Sequence, residues 1–137
     1  MSKKIMGVLI TPNDPDTLPR KFTMEYNDYT DFYKILECST FDIQVRKFKY
    51  KWFDIYMDDN GKLKEDNQVS LITIDGYGNP IEFIVGNVFI VNHNEEGDTI
   101  SLTEEEVKLV LSTIQTVKLT NKKTNQSVLT TVGVIEV

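Results

Sequence analysis

Arg46-Lys47-Phe48-Lys49-Tyr50-Lys51-Trp52 is the stretch whose residue types and spacing come nearest to a defined chemistry. Cations alternate with aromatics. In an extended chain successive side chains point to opposite faces. Lys47, Lys49 and Lys51 then share one face, and Phe48, Tyr50 and Trp52 share the other. A lysine row can neutralise phosphates or meet an acidic protein surface. Aromatics at this spacing stack bases only when they are exposed. The reading adopted is an amphipathic strand with aromatics inward and lysines outward, and with Arg46, Lys47, Lys49 and Lys51 as candidate contacts.

A second candidate surface is acidic. Glu95, Glu96 and Asp98 form a turn around Gly97, followed by Glu104–Glu106. Carboxylates so grouped could meet a basic nucleic-acid enzyme; as a metal site they lack a defining ligand spacing, and a solvated turn feeding a helix cap accounts for them. Asp58-Asp59-Asn60-Gly61 suggests a calcium loop. In the register that aligns Asp58, Asn60 and Gly61, however, the first and twelfth ligand positions fall on Tyr56 and Asn67, neither a carboxylate. A hairpin turn is the expectation there. Gly76, Gly78 and Gly86 match no phosphate-loop pattern. The one cysteine, Cys38, needs an activating base to be a nucleophile, and no sequence feature places the one histidine, His93, beside it. No catalytic constellation, metal or cofactor is expected.

The elements that must position these residues follow from size and patterning. A length of 137 residues favours one domain, residues 1–137. The net charge is −6; residues 1–60 hold 9 basic and 10 acidic groups, and residues 61–137 hold 6 and 11. That balance argues against a generic duplex-binding protein. No apolar run reaches the roughly 20 residues that span a bilayer. MSKK followed by MGVLI is too short for an export signal. A reducing, cytoplasmic setting without membrane partners is the expectation.

Strands are expected over Lys4–Thr11, Lys21–Tyr26, Val69–Ile74, Val117–Leu119 and Val128–Val137, with a loop over Pro12–Pro19. Phe41–Met57 alternates with a change of phase, which predicts a bulge or turn near Arg46–Lys47. Ile81–Asn92 is nearly all apolar but broken at Gly86-Asn87, so it predicts two short strands or one bulged strand. Asn27–Glu37 reads as a helix capped by Asn27, with Tyr29, Phe32, Tyr33 and Leu36 on one face. Leu102–Ile114 reads as a second helix. Thr103 and Glu106 form its capping box, and Leu102 with Val107 its hydrophobic staple. The expected fold is α+β, a mixed or mainly antiparallel sheet with two packed helices.

Three segments carry a family resemblance: Asp54–Lys64, ending in DDNGKLK; Ile84–Val91, containing IVG; and Gly97–Val107, containing the capping box. In this order and spacing, the region from Phe41 to Ile114 resembles the DUF3846 family, small domains of unassigned function. The tail at 115–137 is longer than the family's short form, and Lys64-Glu65-Asp66-Asn67 replaces its LPxN stretch. The resemblance implies an accessory protein of a phage, plasmid or related mobile element. The expected function is binding and modulation of a host or phage protein without catalysis. The alternative is weak single-stranded nucleic-acid binding through Arg46–Trp52. The oligomeric state is open.

Overall fold

The computed structural model describes residues 3–12, 19–60, 69–74, 77–120, 122–125 and 127–136. The chain runs β1 (Lys3–Ile10), β2 (Arg20–Tyr26), α1 (Thr30–Leu36), β3 (Phe41–Phe48), β4 (Lys51–Asp58), β5 (Val69–Ile74), β6 (Pro80–Val85), β7 (Val88–His93), β8 (Thr99–Ile100), α2 (Glu104–Thr113), β9 (Ile114–Thr120) and β10 (Ser127–Glu136). The strand order is β2-β1-β7-β4-β3-β10-β5-β6, with β8 on β7 and β9 on β10. Among the described residues only the β10–β5 pairing is parallel; the others are antiparallel. This is an α+β fold with two helices on a mixed, mainly antiparallel sheet.

The near-continuous apolar runs of β1 and β7 are explained by burial on both faces. Val8, Ile10, Val88 and Ile90 join Phe53, Ile55, Val107 and Val110 under α2. The alternate residues Ile5, Leu9, Phe89 and Val91 join Tyr56, Phe32 and Leu36 under α1. Each fully buried Phe or Leu contributes about 1.5–3 kcal/mol relative to exposure. The central strands are thus held twice. Gly7 lies where a Cβ would meet Ile90 O at 2.3 Å and Val91 Cγ1 at 2.7 Å, so this approach of β1 to β7 depends on a residue without one.

The capping box is present as expected: Glu106 N–H donates to Thr103 Oγ1 at 3.1 Å, and Thr103 N–H donates to Glu106 Oε1 at 2.9 Å. Leu102 and Val107 are both buried in the α2-side core. The helix ends at Thr113, and Ile114 is already extended. The first helix departs further from the expectation. Its N-cap is Tyr29, not Asn27, and α1 is shorter than Asn27–Glu37. Tyr29 makes no side-chain cap bond; instead Asp28 Oδ1 accepts from Thr30 N–H at 2.8 Å, and Asp31 Oδ2 reaches back to accept from Asn27 N–H at 2.7 Å and Asp28 N–H at 3.3 Å. The Asn27 N–H, then the Asp28 N–H and Lys34, hold the Asp31 carboxyl below its ordinary range. Phe32 and Leu36 are buried, but Tyr29 is exposed. Ile81–Asn92 resolves into two strands, with Gly86 at φ 89° between them.

The turn expected near Arg46–Lys47 lies instead at Lys49-Tyr50, because Phe48 pairs with Lys51 and Lys47 with Trp52. Lys49 adopts φ 61°, the positive value a tight two-residue hairpin requires at its first position. Gly61 and Gly76, residues 13–18 of the expected Pro-rich loop, and residues 62–68, which include the Lys64–Asn67 stretch, lie outside the described residues.

Candidate functional site

The hairpin turn rearranges the basic segment. Lys47, Lys49 and Lys51 do not form a row on one face, because the chain reverses between them. The cations part company. Arg46 turns toward β6, where its Nε lies 2.8 Å from Glu82 Oε1 and its Nη2 3.1 Å from Glu82 Oε2. Lys51 turns to α2 and sits 3.2 Å from Glu106 Oε2. Lys49 Nζ donates to Ser112 Oγ, also on α2, at 2.9 Å. Lys47 stands beside Trp52 on the opposite sheet face, the one that carries α1.

The aromatics also part. Phe48 is buried against Phe53, while Tyr50 is 76 % and Trp52 51 % exposed. The expected inward trio keeps one member. The alternation was legible; the two-residue reversal that separates its halves was not, since neither Lys49 nor Tyr50 is a customary turn residue.

On the α1 face the hairpin presents an open strip. Ile43 and Val45 alternate along β3 and are each 43 % exposed. Cross-strand neighbours in register share a face, and Lys47 pairs with Trp52, Val45 with Asp54 and Ile43 with Tyr56. The strip therefore runs Ile43–Val45–Lys47–Trp52. Phe41 continues it toward α1, where its ring centroid lies 5.3 Å from that of Tyr33 and Tyr33 lies 6.0 Å from Tyr29. α1 covers Phe41 and Tyr56 at the far end of β3 and β4, together with Phe89, Val91 and Leu9, and leaves Ile43, Val45 and Trp52 exposed.

A polar group closes the strip. His93 Nδ1 lies 2.8 Å from Asp54 Oδ2, with Asp54 buried and His93 half exposed. Tyr56 Oη lies 2.6 Å from Thr99 Oγ1. Burial raises the Tyr56 hydroxyl above its ordinary value; the Thr99 contact opposes this, and Asp54 adds to it. Sequence patterning could not pair Asp54 with His93, which are brought together by β4–β7 register. Cys38 is half-buried beside the α1 core.

The acidic turn closes on itself. Asn94 Oδ1 accepts from Glu96 N–H at 3.0 Å and from Asp98 N–H at 2.9 Å. Glu95, Glu96 and Asp98 are exposed around Gly97, at φ 87°. The turn follows β7 directly, so it lies next to His93, near the hairpin end. Among the described residues no group of three or more His, Cys, Asp or Glu side chains is placed to hold a metal ion. No described helix is long and apolar enough to cross a membrane.

Asn87 is a residue whose role the sequence did not disclose. Its buried amide donates to Ile35 O and to Glu37 Oε2, each at 2.9 Å. It thereby ties the Gly86 bend to the end of α1, where Glu37 is left-handed at φ 51°. The central Gly-Asn of the IVGN segment is thus a fastening between sheet and helix.

These features define a small α+β domain with a helix on each face of its sheet and an open apolar strip beside one of them. The chain belongs to the DUF3846 family: the family's sequence model, Domain of unknown function (DUF3846), matches residues 6–115. The match takes in most of β1 and all of β2 as well as the Phe41–Ile114 stretch, while most of β9 and all of β10 fall beyond it. No curated protein and no solved structure matches the chain.

Proposed function

We propose that this domain binds a host or phage protein through the Ile43–Val45–Lys47–Trp52 strip and modulates it sterically or allosterically, without turnover. The observation that carries this reading is the exposure of Ile43, Val45 and Trp52 together on one sheet face that α1 leaves open. Exposed apolar and aromatic side chains bordered by polar ones are common in protein interfaces. Trp and Tyr supply large contact area at low entropic cost. Glu95, Glu96 and Asp98 stand at the same end and add an acidic margin to the rim. The setting in a phage or mobile element rests on the family resemblance, and the cytoplasmic placement on the single cysteine.

A pull-down from the native host with the wild-type chain and with Trp52→Ala tests the proposal. A stoichiometric protein captured by the first and lost with the second is the expected result. A partner retained equally by both removes the strip from the interface, and a metabolite bound in its place removes the reading.

A second reading, single-stranded nucleic-acid binding, draws on the outward Tyr50 and Trp52. Exposed aromatics beside lysines can stack bases. It is the weaker reading because Arg46 and Lys51 are each matched to a carboxylate within the fold.

A further inference from the structure

β3 is paired unequally on its two sides. β4 accompanies it from Phe41 to Phe48, whereas among the described residues β10 takes only Phe48 and Lys47. Among the described residues no strand lies against the rest of that outer edge. An edge strand of this kind is a template for another strand unless something blocks it.

The backbone phase of the edge can be worked out. Phe48 and Lys51 flank the two-residue turn and so form a hydrogen-bonded pair, and such pairs recur at every second residue. The backbone groups of Arg46, Gln44 and Asp42 therefore point to β4. Those of Val45, Ile43 and Phe41 point outward. The hydrogen bond from Asp59 N–H to Thr40 O, at 3.1 Å, continues the same phase.

Two of the outward groups are occupied by the chain's own side chains. Ile43 N–H donates to Asp42 Oδ1 at 2.9 Å. Val45 O accepts from Arg46 Nη1 at 2.8 Å. Both side chains are fixed by a relay: Gln44 Nε2 donates to Asp42 Oδ2 at 2.7 Å, Arg46 Nη2 donates to Gln44 Oε1 at 2.9 Å, and Glu82 holds the guanidinium from β6. Four polar side chains thus form a clasp along the middle of the edge.

We propose that the outer edge of β3 is a pairing surface for a second copy of this chain, held shut by the Asp42–Gln44–Arg46–Glu82 clasp. The sequence of the edge is self-complementary. Antiparallel pairing about a two-fold axis at Ile43 sets Ile43 against Ile43 and Phe41 against Val45, all through outward-pointing backbone groups. On the opposite face it sets Asp42 against Gln44. No like charges meet, and an isologous contact of this kind closes as a dimer. Loosening the clasp returns Ile43 N–H and Val45 O to the edge. It also joins the open strips of the two copies across the new strand pair. The proposal is independent of the partner-binding strip, which is intact in the single chain.

Sedimentation of the wild type, Asp42→Thr/Arg46→Gln, and the same double variant carrying Ile43→Pro tests it. The clasp variant should self-associate with a dimer Kd lower than the wild type's by about tenfold or more, since two competing hydrogen bonds are removed. Ile43→Pro deletes the outward N–H without touching the β4 ladder, and should restore the monomer. A folded clasp variant that stays monomeric, a dimer indifferent to Ile43→Pro, or a wild type already dimeric through this edge overturns the proposal. Should circular dichroism show the double variant unfolded, Asp42→Thr alone decides: a tighter dimer supports the clasp, and a folded monomer with wild-type behaviour overturns it.

Discussion

Lys51 Nζ lies 3.2 Å from Glu106 Oε2, while Glu106 Oε1 accepts from the N-cap N–H of the same helix. One carboxylate thus joins the β3–β4 hairpin to the start of α2. Burial alone would raise the Glu106 carboxyl; the Thr103 N–H, the Lys51 ammonium and the Asn92 amide outweigh it and hold the carboxyl below its ordinary 4.5. The hairpin lysine that looked available to a partner is a component of the helix cap.

Stability should follow that carboxylate with a definite sign. The folded-state pKa is depressed, so the unfolded chain binds the proton more readily in this window. The contribution is present above about pH 4.5 and is lost as pH falls through the lower folded value. Glu106→Gln keeps a side chain able to cap but removes the charge. It should cost about 1 kcal/mol near pH 7, a modest figure because Lys51 is half exposed. Urea unfolding between pH 3 and 7 checks this: the gap between wild type and variant should narrow toward the acid end. A gap constant with pH would contradict it.

The α2 cap, the α2-side stripe and most strands of the sheet were legible in the sequence because each rests on local pattern. Thr103 and Glu106 are three residues apart, and Val107 and Val110 fall on one helical face. The candidate site was less legible. The Lys47–Lys51 alternation could be read as one strand until Lys49, a β-turn residue by position rather than by type, reversed it. The Asp54–His93 contact and the Arg46–Glu82 pair are set by strand order, which brings together residues 39 and 36 positions apart. Periodicity carries no information about such pairs. Asn27 illustrates a smaller miss: propensity favours it as a cap, but Asp28 takes the Thr30 N–H, and Asn27 itself donates its backbone N–H to Asp31.

Gly7→Ala should be severely destabilising although Gly7 sits in an ordinary strand. An added Cβ would approach the Ile90 carbonyl oxygen at 2.3 Å, and the Phe89 ring at 3.0 Å. The obstacle is backbone, which cannot rotate away, in the strand pair buried on both faces. A loss of about 2–3 kcal/mol, at the upper end of overpacking effects, is expected from denaturant midpoints. A variant within 0.5 kcal/mol of wild type would show that β1 and β7 are less closely joined.

Tyr56 offers a prediction at the alkaline end. Its hydroxyl is raised above 10.0, first by burial and then by Asp54, with the Thr99 contact in opposition. The folded state therefore holds its proton longer than the unfolded one. This contribution is whole below pH 10 and is lost as pH rises through the folded value. Tyr56→Phe should lose about 1 kcal/mol at pH 7 with the Thr99 hydrogen bond. It should also lose less stability than wild type between pH 10 and 11. Parallel alkaline slopes for the two proteins would remove Tyr56 from the linkage.

Trp52 is the chain's one tryptophan, so its fluorescence reports directly on the open strip. Because its side chain is half exposed, Trp52→Ala should change folding stability by no more than about 0.5 kcal/mol. Loss of the strip's aromatic anchor should nevertheless weaken a protein partner by about 2 kcal/mol or more, roughly 30-fold. The emission of the wild type should shift when that partner is added. Oligo-dT and single-stranded RNA should leave it unchanged at low salt, since Arg46 and Lys51 are paired to carboxylates of the fold. Salt-sensitive quenching by either oligonucleotide, abolished by Lys47→Gln/Lys49→Gln, would invert the ranking of the two readings. In that case Tyr50 and Trp52 would be a stacking platform, and the apolar strip beside them its floor.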